Sequence, residues 1–389
     1  MAICKLLNHE VHYSYVKSVL IIFFDSRFRT FVALKILKYR LMRILKSILL
    51  VAFLVVSCSL NVQAQQYKAG VIAFYNLENL FDTINQPEVN DEEFTPTGTN
   101  LYTPQVYMDK LGKLSDVLSM IGTDITPDGF SVLGCAEIEN ITVLQDLINM
   151  PKLKSRGYKI VHYDSPDKRG IDVGFLYNPK YFKVLHSEPL FVPLKGDDGE
   201  PYFTRDVLYV YGLYDGEPVH FFINHWPSRR GGEEASAPNR ALAASVAKAK
   251  IDSINNASPD AKIILMGDLN DDPVSPSVAK TLGAVGDEGR VKPNGLYNPW
   301  VKYYKDGIGT LAYGDAWNLF DQIMLSHAFL DKKQSGFFYQ KASIFSKEFM
   351  IQKTGRYKGY PLRTYDSGAY QGGYSDHFPT YILFLKEKK

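Results

Sequence analysis

Four times along this chain a short apolar run ends in a burst of side chains able to bind metal or move protons. The run VIAFY (71–75) leads into Asn76-Leu77-Glu78-Asn79, and SVLGCA (131–136) into Glu137-Ile138-Glu139-Asn140. VHFFI (219–223) leads into Asn224-His225-Trp226, and KIILMG (262–267) into Asp268-Leu269-Asn270. A fifth burst, Ser375-Asp376-His377, precedes FPTYILF (378–384). Apolar runs this short, rich in β-branched and aromatic residues, read as strands of a buried sheet. A single polar cluster at a strand end is ordinarily turn and cap chemistry. Five of them point to one shared crevice, because sheet ends lying together are where α/β sheets bind ligands.

The rest of the pattern fits such a sheet. Further strands are expected over 158–163, 171–177, 207–211, 322–326 and 380–384. Thr103-Pro104 starts a helix, with Thr as N-cap and Pro in first position. Val106, Leu111, Leu114, Val117, Leu118 and Ile121 follow at helical spacing until Gly122. Asn140 caps a second, short helix, and the Ala-rich stretch 239–254 is a third. Many strands, several joined directly as hairpins, with few helices between them, make an α/β protein with mixed or antiparallel sheets.

The first 64 residues are expected to lie outside this fold. Arg43 and Lys46 precede an apolar stretch at 48–56, and Val62-Gln63-Ala64 supplies a small-residue cleavage site. Residues 42–64 thus read as a signal peptide, and residues 1–41 as an upstream extension from a mis-assigned start. Val55-Val56-Ser57-Cys58 also resembles a lipobox, the alternative being a lipoprotein anchored through Cys58. Export to the periplasm or beyond is the expectation. Residues 65–389 contain no Ser/Pro/Gly-rich spacer and no repeat, and are read as one domain. Charge supports the division. Nine of the 44 basic residues but only two of the 42 acidic ones fall before residue 65, so the body carries 35 against 40, a net of −5. A uniformly basic nucleic-acid coat is thereby excluded. Only Cys135 of the three cysteines lies in the body, which excludes a disulfide framework there.

Taken in order, Asn76-Leu77-Glu78, Glu137, Asn224-His225, Gly267-Asp268-Leu269-Asn270, Asp321 in FDQIML and Ser375-Asp376-His377 resemble the endonuclease/exonuclease/phosphatase superfamily over about residues 69–386. The resemblance implies a four-layer α/β sandwich, two packed sheets with helices outside. It also implies a metal-dependent phosphoric ester hydrolase using Mg²⁺ or Mn²⁺. Glu78 and Glu137 are implied as metal carboxylates, with Asp376 a third, water-mediated ligand. An oxygen-only set suits a hard divalent cation. His377 is implied as the acid–base residue, oriented by Asp321, and an imidazole pKa near 6.5 suits that task. Asp268 and Asn270 are implied to align water and hold the phosphate, and Asn76 to donate to a phosphate oxygen.

His225 discriminates within the superfamily. Deoxyribonuclease-like and sphingomyelinase-like members carry a second histidine here, whereas abasic-site endonucleases use Tyr elsewhere. This second imidazole is expected to protonate or stabilise a diester's leaving alkoxide. Either Asp172 or Asp164 would orient it. Arg229 and Arg230 in the following loop, with Arg205 and Arg240, are candidate phosphate contacts. The long segments 83–102, 285–316 and 345–374 depart from the resemblance and are expected to read substrate.

The leading expectation is a secreted phosphodiesterase of endonuclease type, with a phosphate ester or nucleic acid as its partner. It is expected to be a monomer without an obligate protein partner. The alternatives are a phospholipid or sugar-phosphate hydrolase and a non-catalytic binding protein on the same fold.

Overall fold

The computed structural model describes residues 25, 29–51, 66–196, 198–333 and 336–388. The chain divides into two units, Met1–Gln65 and Gln66–Lys389. In the first, residues 29–51 are helical, and no described helix is long and apolar enough to cross a membrane. The expected cleavage site, Cys58 and most of the upstream extension lie outside the described residues.

The second unit is built on twelve principal strands and three long helices. In chain order these are β1 (Tyr67–Leu80), α1 (Pro104–Met120), β2 (Val132–Ile138), α2 (Ile141–Asn149), β3 (Lys159–His162), β4 (Asp172–Tyr177) and β5 (Phe182–Leu190). There follow β6 (Val207–Tyr214), β7 (Glu217–His225), α3 (Glu233–Ala257), β8 (Ile263–Asp268), β9 (Leu296–Tyr297), β10 (Asp321–Ser326), β11 (Phe338–Ile344) and β12 (Thr380–Glu387). One six-stranded sheet runs β11-β12-β1-β2-β4-β3, the other β9-β10-β8-β7-β6-β5. Each has one parallel pair at its centre, β1/β2 and β7/β8, flanked by antiparallel neighbours.

Period-two alternation assigns the two faces of each sheet. Ile72 and Phe74 of β1 meet Phe175, Phe221, Ile264, Met266 and Ile323 between the sheets. Val71, Ala73 and Tyr75 pack outward with Leu111, Leu114 and Leu118 of α1. On the second sheet, Phe222, Ile263 and Leu265 pack outward with Ala243, Ala247 and Ile251 of α3. The result is the expected four-layer sandwich. At its centre the sheets nearly touch, for a Cβ on Gly134 would lie 2.7 Å from Met266 Sδ. One residue along β2, Cys135 is fully buried, and burial pushes its thiol up to about 12.

Both predicted caps are present. The Thr103 side chain accepts from Val106 N, and Asn140 Oδ1 accepts from Thr142 N and Val143 N. Five elements differ from expectation. Strand β1 runs on through its polar cluster to Leu80. Helix α3 begins six residues early and passes through Pro238, where Arg240 reaches back to the Glu233 carbonyl and Ser236 Oγ. Strands β5, β9 and β11 were not anticipated; β5 is an edge strand with mostly exposed or half-buried positions, so its apolar signal is weak, and β9 is only two residues long.

Candidate active site

The topology gathers all five polar clusters at one edge. Strands β1, β2, β7 and β8 end there. Strands β10 and β12 run antiparallel to their neighbours β8 and β1, so they begin there. Asp321 opens β10 directly opposite Asp268, and Asp268 pairs with His225 across the parallel ladder.

Asp268 lies at the middle of the crevice and is buried. Its Oδ2 accepts from Asn76 Nδ2 at 2.9 Å and its Oδ1 from Asn270 N at 3.0 Å. The Nε2 atoms of His225 and His377 each lie 3.9 Å from that same Oδ2. Burial raises the Asp268 carboxyl above the ordinary range, with His377 pulling against it. Asn76 is also fixed through its other atom, Oδ1, which accepts from Glu78 N. One of the two amide protons expected to reach phosphate is therefore held by Asp268.

The two imidazoles have opposite surroundings. His377 Nδ1 donates to Asp321 Oδ2 at 2.7 Å, and that oxygen also accepts from Thr310 Oγ1. Burial disfavours the charged ring, but Asp321 and Asp376 outweigh it and hold the pKa well above the usual imidazole value. His225 is buried beside cations. Burial, then Arg205 and Arg169, then His377, drive its pKa well below the usual value, and its Nδ1 has no hydrogen-bond partner. Neither expected orienting carboxylate serves it: Asp172 Oδ2 binds His162 Nε2 at 2.9 Å, and Asp164 lies 3.9 Å from the same ring. A pair of imidazoles pushed in opposite directions is the arrangement that separates acid from base.

The expected metal carboxylates stand at the rim of the first sheet. Glu78 and Glu137 are both held with left-handed backbone, φ 49° and 58°, as are Asn79 and Asn270 at 52° and 48°. Non-glycine residues seldom adopt this region, and such strain concentrates at functional sites. Glu137 Oε2 accepts from Asn79 N, and its Oε1 lies 3.7 Å from His225 Nε2. Glu78 Oε2 accepts from Thr364 N at 2.6 Å, and burial followed by Asp376 raises its carboxyl. Arg363 offsets that negative charge, with Nη2 on Asp376 Oδ2 at 2.8 Å and Nε 3.7 Å from Glu78 Oε1. An oxygen-rich set carrying excess negative charge fits a hard divalent cation. The expected trio is nevertheless not the tightest. Among the described residues, Glu137, His225 and Asp268 bring ligand atoms within 4.8 Å of one another, as do Asp268, Asp321 and His377.

Three of the four arginines expected on phosphate face inward instead. Arg205 is buried, donating to the carbonyls of His225 and Trp226 and to Asp167. Arg229 donates to Asn270 O, Glu233 and Asp272, with its guanidinium over the Phe320 ring. Arg240 is buried against Asp271, Ser236 and the Glu233 carbonyl. These three fix the loops that carry His225 and Asn270, because their donors are spent on the protein. Arg230 is exposed.

Three contributors were missed. Lys110 of α1 is wholly buried and donates to Thr364 Oγ1, bracing the residue whose N–H holds Glu78. A lysine on the apolar face of a helix was the available signal. Thr310 and Arg363 come from long loops, where spacing carries no information. Ser375 was noticed only as part of its cluster; its Oγ donates to Asn76 O and accepts from His377 N, joining the first and last clusters.

A sequence profile of the endonuclease/exonuclease/phosphatase family matches residues 71–386. The chain belongs to this family. Its members are phosphoester hydrolases, often metal-dependent, and the chain is an enzyme of that class. No curated protein matches it. Solved structures of the family share the fold. Humanized TDP2 of D. rerio is 18% identical over 81% of this chain and 98% of its own, with a TM-score of 0.50. A family member from Bacteroides thetaiotaomicron is 14% identical over 83% and 97%, again at 0.50. D. rerio TDP2 complexed with a single-strand DNA product is 16% identical over 82% and 99%, also at 0.50.

Proposed function

We propose that the protein is an exported, metal-dependent phosphodiesterase in which His377 is the proton donor and His225 the acceptor. The carrying observation is the placement of both Nε2 atoms 3.9 Å from Asp268 Oδ2, with Asp321 on the far side of His377 alone. This reverses the role expected for His225. Burial beside Arg205 keeps the His225 ring neutral, with a lone pair open to a proton, whereas a ring backed by a carboxylate holds a proton to give.

Glu78, Glu137 and Asp376 would hold Mg²⁺ or Mn²⁺, which when bound neutralises charge on the phosphoryl oxygens. Asp268 and His225 orient a water, and His225 accepts its proton. The water oxygen forms the new bond to phosphorus as the bond to the leaving alkoxide breaks. His377 delivers a proton to that alkoxide. Asn76 and Asn270, on either side of Asp268, contact the phosphate. A diester reading is favoured because an alkoxide leaving group requires the donor, and because TDP2 of the same fold was captured with a single-strand DNA product.

The test compares an alkyl diester with bis-p-nitrophenyl phosphate. His377→Ala is expected to hurt the alkyl ester at least ~10-fold more, since general acid catalysis contributes ~10²–10⁴ and p-nitrophenolate needs little of it. His225→Ala is expected to hurt both alike. Equal losses in His377→Ala would refute the assignment of the donor. Export rests on residues 42–64, and a native N-terminus near Gln65, or a lipidated Cys58, is the expected mass; an intact Met1 in the cytoplasm would contradict it.

A further inference from the structure

The ion pair of Arg363 and Asp376 is a wall between two cavities. On one side lies a space of about 180 Å³ lined by Glu78, Asn79, Glu93, Phe94, Asn100 and Tyr365. Two of those side chains are carboxylates, so this side repels anions. On the other side lies a larger space of about 340 Å³, between the 311–315 segment and the 356–361 loop. Its size is that of a small-molecule site. Three tyrosines, Tyr313, Tyr357 and Tyr360, line it with Arg356.

Two features give this larger cavity a chemistry. Arg356 has no carboxylate within ion-pair distance among the described residues, and its guanidinium lies over the Tyr357 ring. It is therefore a cation with spare donors, unlike Arg205, Arg229 and Arg240. The acidic side chains of the lining are Asp376, already held by Arg363, and Asp315 at the tip of the turn. Tyr313 is 82% exposed, so its ring is open to a ligand from the cavity side. The opposite wall is firm. Tyr360 meets Trp317 edge-on at 5.4 Å, and Trp317 stacks on Phe378, the residue after His377. The cavity is thus anchored to the catalytic histidine at one end and presents rings and a free guanidinium at the other.

Resting on the phosphoesterase reading above, we infer that this cavity holds the non-scissile part of the substrate, a ring bearing a second phosphate. The tyrosine faces take the ring, and Arg356 takes the second anion by charge-assisted hydrogen bonds. A choline-bearing lipid is disfavoured, because its quaternary ammonium would face Arg356. The ring could be a nucleoside or a sugar, and both present the same phosphate-plus-ring chemistry.

Calorimetry on the full-length protein decides it without turnover. In excess chelator, thymidine 3′,5′-bisphosphate is compared with thymidine 5′-phosphate, and glucose 1,6-bisphosphate with glucose 6-phosphate. The wild type is expected to bind one bisphosphate about tenfold tighter than its monophosphate, the effect of one good charge-assisted contact. Arg356→Gln should abolish that preference and Arg356→Lys restore part of it. The pair showing the preference names the ring. Equal affinities within both pairs, or a preference that survives Arg356→Gln, would overturn the subsite. In parallel, the p-nitrophenyl ester of whichever monophosphate belongs to the preferred pair, thymidine 5′-phosphate or glucose 6-phosphate, is assayed with and without the second phosphate in Mg²⁺ or Mn²⁺. Hydrolysis of both with no difference in KM leaves the phosphoesterase reading standing and removes the subsite. No hydrolysis of either overturns the phosphodiesterase reading, while the calorimetric contrast still decides the subsite.

Discussion

The two sheets share a plan but deliver their side chains to the crevice differently. In the second sheet, β7 and β8 stay in register to their last pair, Asp268 opposite His225. In the first, the β1/β2 register shifts between Asn76 and Leu80, and the β2/β4 register between Ala136 and Ile138. Glu78 and Glu137 lie inside those shifts, both with left-handed backbone. A bulge turns a side chain out of the ladder, whereas a regular ladder fixes its direction. The ladder therefore carries the proton acceptor His225 and the two aspartates, Asp268 and Asp321, against which His377 is set. The bulges carry the carboxylates, whose positions must accommodate an ion.

The largest effect should come from the pair that joins the sheets. His377 precedes a strand of the first and Asp321 opens a strand of the second. His377→Ala is expected to lower kcat more than ~100-fold, within the usual range for general acid–base groups. Asp321→Asn should cost less, and the double variant less than the product of the two, because Asp321 acts through His377. Multiplicative losses measured in that cycle would mean the sheets contribute independently.

Next is Glu137→Gln, which keeps the bulge and removes the charge. A tenfold or greater loss of Mn²⁺ affinity is expected, roughly the scale of perturbed metal sites, with the melting temperature little changed. Unaltered Mn²⁺ binding by calorimetry would move the cation away from the bulge, toward Asp268.

The smallest effect belongs to the far end of the second sheet. His220 of β7 lies against the Tyr211 ring, and its Nδ1 bonds Tyr209 Oη at 2.7 Å. Burial, then Lys250, lower its pKa from 6.5 to about 4. The unfolded chain therefore takes up this proton first. The stability His220 contributes is complete above pH 6.5 and is lost as pH falls toward 4. His220→Phe should flatten the decline of melting temperature across that window. An unchanged slope would show that other groups set it.

Much of this was legible because strand ends concentrate polar residues that have no other reason to follow an apolar run. The order of the clusters fixed the family, and Thr103 and Asn140 announced their helices. What could not be read was direction. Arg205 and Arg229 look alike in the sequence to arginines that face a ligand, but their donors are spent on carbonyls and carboxylates brought close only by folding. Asp172 lies in a recognisable segment yet turns to His162. Lys110 sits at a helix position where an apolar residue would also fit, and its partner Thr364 is 254 residues away.

Cys135 has a practical consequence. In a chain that starts near Gln65 it is the sole sulfhydryl, sealed within β2 and protonated at any working pH. A disulfide reagent added to the folded enzyme would find no thiolate, so its reaction rate reports how often the layer between the first sheet and helices α1 and α2 opens to solvent. A cysteine placed on the 311–315 segment would then be the only fast-reacting position. The protein thus carries an internal clock for its own opening, and leaves the rim free for a single dye.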